Sequence, residues 1–394
     1  MKVLSVNAGS SSLKFQMYEM PEEKVLISGV FERIGLDGGM YTLKINGEKI
    51  KKEKELTDHS VAVQTLIDEL IDNKIISSLD EIEAVGHRLV HGGEKYSKSV
   101  IINEDVIKTV EELSDLAPLH NPANLIGVRT FMNLIPNAVQ VGCFDTAFHQ
   151  TMEKREFLYA VPYEWYANYG VRRYGFHGMS HNYIANRCAE ILGNKNARII
   201  YCHIGNGGSL CAIKDGKSID TSMGFTPNAG LMMGSRSGDI DATLIPYIMN
   251  KTGENLEEVI NDLNKKSGYL GVSGISSDSR DIEDAAKEGN ERAILAQDMY
   301  VEKIVNYIAE YYLELGGCDA IVFTAGVGEN SKDTRKAIID RLAPLGIKLD
   351  EERNNVRGEE RLISTDDSSV KVYIIPTDEE VMIARDTYNL KVNG

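Results

Sequence analysis

Positive charge is scarce in this 394-residue chain: 43 Lys and Arg stand against 59 Asp and Glu, a formal net charge of -16. Nucleic acids and anionic lipid surfaces are held by clustered Lys and Arg, so a field of this sign argues against both as partners. Long apolar runs are missing too. No window approaches the roughly 18 to 20 apolar residues of a membrane span. The opening MKVLSVNAGSSSLKF has too short an apolar stretch and the wrong flanks for a signal peptide, so a cytoplasmic location is expected. The cysteines Cys143, Cys188, Cys202, Cys211 and Cys318 show no C-x-x-C spacing and mostly sit in or beside apolar runs, which points to reduced thiols. Proline is sparse, at 9 residues, and the 35 glycines follow no repeat, so collagen-like and low-complexity classes fall away. Neither G-x-x-x-x-G-K-[ST] nor a helix-opening G-x-G-x-x-G occurs at a strand end, so any phosphate must be gripped by another design.

What is present is an enzyme-sized body. The length exceeds that at which one hydrophobic core usually stops growing, so two domains of near-equal size are expected. Short β-rich apolar runs at 3–6, 84–90, 139–144, 198–202, 320–323 and 370–375 each end in a turn bearing Gly, Asp or Asn. Helical periods lie between them: Val63, Leu66, Ile67, Leu70 and Ile71 follow caps at Asp58 and Ser60. Strand and helix alternate, which makes the class α/β. An internal echo suggests duplication: a strand enters Asn7-Ala8-Gly9-Ser10 and leaves as another strand, and the pattern returns at Asn206-Gly207-Gly208-Ser209. Either turn alone reads better as an ordinary hairpin. As a pair from duplicated halves they offer backbone N–H groups to one polyphosphate, with glycine letting the oxygens approach.

Lys14 follows the first turn closely enough to act as a phosphate cation. A third glycine turn, 325–330, leaves the strand at 320–323 and enters an expected helix at 331–342, a geometry that accepts anions or nucleotides. In the loop 274–281, before a helix expected near Ile282, Ser277 and Asp278 read as caps and Arg280 as a platform for an adenine face. Arg and His cluster in glycine-rich stretches: GHRLVHGG at 86–93, His120, RRYGFHGMSH at 172–181 and GSRSGD at 234–239. Arg88 and Arg236 are the leading bidentate partners for a carboxylate or a phosphoryl group. His177 and His181 have H-x-x-x-H spacing, but Gly178 stands where a zinc protease carries Glu, which argues against zinc. Asp145 ends the run 139–144, where ligands meet open α/β sheets. Thr377 and Glu380 fit a capping box, which leaves Glu379 to hold magnesium through waters.

These residues lie in ordered motifs that resemble the acetate kinase family, within the superfamily of acetate and sugar kinases, chaperone ATPases and actin. The carriers are NAGSSSLKF at 7–15, GHRLVHGG at 86–93, FDTAFH at 144–149, RRYGFHGMSH at 172–181, HIGNGGS at 203–209, DTSMGFTP at 220–227, GSRSGDID at 234–241, GISSDSRD at 274–281, GVGEN at 326–330 and PTDEE at 376–380. The resemblance covers essentially the whole chain. It implies two duplicated actin-like (ribonuclease H-like) domains around a central cleft: residues 1–148 joined by a C-terminal helix at 381–394, and a nucleotide-binding domain at 149–380. It implies Mg2+, with Mn2+ as a substitute, near Asn7 and Glu379. ATP or ADP contacts fall to Lys14, to His203, Ile204, Gly205, Asn206 and Gly207, to Asp278, Ser279 and Arg280, and to Gly326, Val327, Gly328, Glu329 and Asn330. Arg88 would bind the carboxylate, with His120 a further site histidine and Val90, Leu119, Phe176 and Pro227 lining an acyl pocket. Asp145, His177 and Arg236 would act at the reaction centre. A homodimer is the implied assembly.

Departures from the family pattern are mild: Asn228-Ala229, Met179, Ser235 and Ala242 replace commoner residues, and the first pair bears on acyl length. A carboxylate that titrates near pH 4.3, roughly where a free Glu side chain does, is ionised at neutral pH, so direct in-line transfer needs no general base. Closure about 147–152 and 380 would exclude water. The rival readings are a propionate or butyrate kinase of the same family and, from another class, a nucleotide-switched actin-like binding protein.

Overall fold

The computed structural model describes residues 1–118 and 120–394, so the expectation for Leu119 lies outside the described residues. The chain divides into two compact units: Met1–Gln150 with Asp378–Gly394, and Thr151–Thr377.

Among the described residues the first unit carries an eight-stranded sheet of β1 (Lys2–Ala8), β2 (Ser12–Glu19), β3 (Lys24–Glu32), β4 (Met40–Ile45), β5 (Glu48–Glu53), β6 (Ile82–Leu89), β7 (Val100–Ile101) and β8 (Val139–Phe144), in the order 5-4-3-2-1-6-8-7. β1, β2 and β3 form an antiparallel meander, while β1–β6 and β6–β8 are parallel. The near-continuous apolar runs belong to the parallel strands, covered on both faces, whereas β5 reads Glu-Lys-Ile-Lys-Lys-Glu and guards the edge with charge. Val63, Leu66 and Leu70 of the helix His59–Asp72 pack with Leu4, Phe15 and Phe31 in one core. Asp58 caps that helix by accepting from the Val61 N–H at 3.0 Å. Ser60, the other expected cap, lies inside the helix and is exposed.

The second unit repeats the plan with β9 (Arg198–Ile204), β10 (Gly208–Lys214), β11 (Lys217–Thr221), β12 (Ala320–Thr324), β13 (Arg361–Leu362) and β14 (Lys371–Ile374), in the order 11-10-9-12-14-13. Again the first three strands are an antiparallel meander and β9–β12 and β12–β14 are parallel. The shared core is the ribonuclease H-like arrangement, so the duplication is real. The echo that suggested it is out of register. The turn of the first hairpin closes at the pair Ala8 and Leu13, that of the second at Ile204 and Gly208. Aligned by those turns, Gly9 corresponds to Gly205 and Asn7 to His203, not to Asn206.

Residues 378–380 lie in the first unit, not the second. The cause is the helix Glu379–Asn393, whose buried side seats on β6. Gly86 makes that seat: a Cβ there would stand 2.2 Å from Thr387 Oγ1 and 2.5 Å from Ile383 Cγ2. The expected capping box is absent as well; Asp378 caps the helix by accepting from the Val381 N–H at 2.9 Å.

Candidate active site

In the first unit the ends of three parallel strands and one helix start converge. Asn7 is near the end of β1, Arg88 near the end of β6, Asp145 directly follows β8 and Glu379 opens the last helix. The Arg88 fork donates to Asp145 from Nη2 at 2.7 Å and Nε at 3.3 Å, and its Nη1 reaches Asn7 Oδ1 at 3.4 Å. Sequence reasoning left this guanidinium free for a carboxylate; in the fold a buried aspartate already holds it in bidentate fashion. Lys14, expected as a phosphate cation, pairs with Glu380. Burial disfavours the Arg88 charge, but Asp145 and then Glu379 outweigh it and push its pKa up.

Acid exceeds base here. Asp378, Glu379, Glu380 and Asp145 gather here, and the cations that act on Glu379 are Arg88 and Lys14. Burial, aided by Asp145 and Glu380 against Arg88 and Lys14, pushes the Glu379 carboxyl up to about 7. A divalent cation suits such a place. No group of three or more His, Cys, Asp or Glu among the described residues forms a self-contained metal cage. A half-set of carboxylates beside an amide oxygen is what Mg2+ uses when water and phosphate oxygens complete its shell. Asp145, Glu379 and Asn7 therefore fit that ion.

In the second unit the corresponding strand ends carry neutral donors. A cavity of about 640 Å³ opens on the Gly205-Asn206 turn after β9, with Asp278, Ser279, Arg280, Gly326, Val327 and Asn330 among its walls. Tyr269, Glu283, Ser331 and Arg357 complete it without having been singled out in the sequence, together with Ser277, which was read there as a cap. His203, Ile204, Gly207, Gly328 and Glu329, expected with them, do not line it. Residues 325–330 are not an open glycine turn but a helical turn, Ala325–Asn330. Ala325 takes the left-handed conformation (φ 64°), and Glu329 Oε1 holds the bend by accepting from the Ala325 N–H at 2.8 Å and the Thr324 hydroxyl at 3.0 Å. Glu329 thus builds the wall. The helix expected near Ile282 starts earlier, at Ser279, with Asp278 as its cap. Asp278 also grips Arg280, which with the Arg280 N–H holds its carboxyl down to about 2.

Beside the same turn stands Arg236. Its Nη1 donates to the Pro227 carbonyl at 2.9 Å, and a Cβ on Gly207 would lie 3.5 Å from its Nη2. It has no acidic partner among the described residues, and burial alone pulls its pKa down. His177 caps the helix Gly178–Leu192 in the left-handed conformation (φ 59°) and stacks on His203 with centroids 4.1 Å apart. Ser209 Oγ lies 2.9 Å from His177 Nδ1 and 2.8 Å from His181 Nε2. Ser180 Oγ lies 2.8 Å from His203 Nδ1, 2.6 Å from the Tyr201 hydroxyl and 2.8 Å from Thr377 Oγ1. Sequence reading missed these hydroxyls, although the H-x-x-x-H spacing of His177 and His181 had marked the two rings as a pair.

Of the residues expected to line an acyl pocket, Val90 is buried in the first unit and Phe176 in the second, with Pro227 half-buried beside Arg236. His120, in the first unit, precedes the helix Asn121–Leu134 and is exposed. All five cysteines are free and buried, and no helix among the described residues is long and apolar enough to cross a membrane.

This geometry has known counterparts. The family model for the Acetokinase family matches residues 2–385. The acetate kinase of Geobacillus kaustophilus is 57% identical over 391 residues, 99% of this chain and 99% of the relative. Among solved structures, acetate kinase from Porphyromonas gingivalis superposes with a TM-score of 0.94 at 51% identity, covering 99% of both chains. A propionate kinase from Francisella tularensis gives a TM-score of 0.94 at 41% identity, again covering 99% of both. Duplicated sheets, strand-end sites and full-length similarity agree: the chain belongs to the acetokinase family.

Proposed function

We propose that the chain is a phosphotransferase that moves the γ-phosphoryl of ATP to acetate, giving acetyl phosphate and ADP, and runs the same step in reverse. The observation that carries the reading is Arg236: a half-buried guanidinium with no acid beside it among the described residues, next to the glycine turn of a nucleotide-sized cavity. A cation so placed awaits an anion whose charge grows in the transition state.

The acetate carboxylate is already ionised, so one oxygen forms the new O–P bond while the bond to the β-phosphate oxygen breaks, and no proton moves. Gly205, Asn206, Gly326 and Val327 bring backbone donors to the nucleotide, and Arg280 flanks its base. Lys14, His203, Ile204, Gly207, Gly328 and Glu329 shape or support that grip. His177 and Arg236 donate to the equatorial oxygens of the transferring group. Arg88 orients the acetate carboxylate, and Val90, Leu119, Phe176 and Pro227 enclose its methyl, with His120 nearby. Asp145, Glu379 and Asn7 hold Mg2+, which neutralises phosphate charge when bound. Asp145 also keeps the Arg88 fork aligned.

Acyl length is the open choice within this reading. The Francisella relative is a propionate kinase, and one methylene is worth only about 1 to 3 kcal/mol of discrimination. A second copy of the chain is the proposed assembly partner. The helices Leu244–Thr252 and Leu256–Lys265 leave Leu244, Tyr247, Leu256 and Ile260 exposed for it. The test is incubation with magnesium-ATP and acetate, propionate or butyrate, with hydroxylamine trapping of the acyl phosphate. Acetate should give the highest kcat/KM. No product with any of the three would favour a nucleotide-switched binding protein.

A further inference from the structure

We propose that Ser209 is a positioning residue for phosphoryl transfer, fixing the tautomer and tilt of His177; the inference rests on the function proposed above. Ser209 is fully buried near the start of β10, and its Oγ sits between two imidazoles, 2.9 Å from His177 Nδ1 and 2.8 Å from His181 Nε2. A hydroxyl has a single proton, so it donates to one ring and accepts from the other. His177 occupies a left-handed backbone position and stacks on His203 at 4.1 Å, with 24° between the ring planes. His203 is itself clamped at Nδ1 by Ser180. The backbone and the stack set where the His177 ring lies. The hydroxyl sets which nitrogen bears its proton.

The order that serves the reaction runs His181 Nε2–H to Ser209 Oγ, then Ser209 O–H to His177 Nδ1. The His177 proton then sits on Nε2, the edge turned away from Ser209, where an oxygen gaining negative charge accepts it. The opposite order would place the proton on Nδ1 and spend it on Ser209. Ser209 is thus a partner of the rings in addition to an element of a glycine turn motif.

The test uses the full-length chain with two variants, Ser209→Ala and Ser209→Thr. Ser209→Ala should lower kcat by about ten- to hundredfold, with the KM values for ATP and acetate within about twofold, because the contact acts on an interaction made in the transition state. Ser209→Thr keeps the hydroxyl and should recover most of kcat. Imidazole 15N spectra, with the His177 signals assigned by their loss in His177→Gln, should show the proton on Nε2 in the parent and a mixture of tautomers in Ser209→Ala. The proposal is overturned by a kcat within twofold in Ser209→Ala, by equal losses in both variants, or by a parent His177 protonated on Nδ1. If the parent makes no acyl phosphate at all, the kinase reading falls, and the spectra still decide whether Ser209 sets the tautomer.

Discussion

The strand ends of the first unit and those of the second are built on one plan and carry opposite chemistry. In the first, every cation is already taken: Arg88 by Asp145, Lys14 by Glu380, with Glu379 left over and pushed up to about 7, chiefly by burial. In the second, the groups at the turn are amides, hydroxyls, imidazoles and a guanidinium that has no acidic partner among the described residues. A surplus of buried carboxylate calls for a metal cation; a surplus of donors calls for an anion. Duplication supplied two equivalent positions, and substitution at the turns gave them complementary charge.

The comparison breaks most visibly at Arg236. Arg236→Ala should lower kcat by about a thousandfold while the KM for ATP moves by only a few-fold, since its strongest contact is with charge that develops during transfer. Steady-state rates at saturating magnesium decide it. A large rise in KM with an unchanged kcat would show that the guanidinium merely holds ground-state phosphate, and the donor surplus would lose its catalytic meaning.

A smaller effect is expected on the acidic side. Glu379→Ala removes the carboxylate that has no hydrogen bond of its own among the described residues, and should raise the magnesium concentration for half-maximal rate by about ten- to hundredfold. Lys14 and Arg88 remain, so ATP affinity at saturating metal should change far less. An unaltered metal requirement would mean that the acid surplus serves folding or pairing alone.

Much of this contrast was legible in the sequence one residue at a time, and little of it in pairs. Strands, the Asp58 cap and the strand-end position of Asp145 follow from local pattern, because period, cap and turn are set within a few residues. That Asp145 would occupy the Arg88 fork depends on β6 and β8 being parallel neighbours, a relation between residues 57 apart. The helical turn Ala325–Asn330 was hidden by its glycines, which favour loops until Glu329 reaches back to tie the first amide. Glu379 was assigned to the wrong unit because nothing local tells that Gly86 leaves a seat for the helix it begins. Ser209 went unread as a partner because a hydroxyl in a glycine motif looks like turn chemistry.

The second unit also contains buried acid, and it sharpens the contrast because a proton rather than a metal relieves it. Asp220 is pushed up to about 6, by burial first, with Arg173 opposing and Glu156 and Glu310 adding. Glu314 is pushed up to about 7, by burial and then by Asp220, Glu156 and Glu310, with Arg155 opposing. Its Oε1 is buried without a hydrogen bond. A carboxyl whose folded pKa is raised keeps a proton that the unfolded chain releases, so stability falls as pH climbs from about 4.5 to about 7 and stays lower above. Glu314→Gln preserves volume and removes that dependence. Relative to the parent, the variant should gain on the order of 1 to 2 kcal/mol of stability between pH 5 and pH 8, read from denaturation midpoints at both values. Magnesium should leave this gain untouched, whereas any stabilisation that magnesium gives the parent should disappear in Glu379→Ala. Equal responses to metal at both positions would erase the distinction between the two acidic clusters.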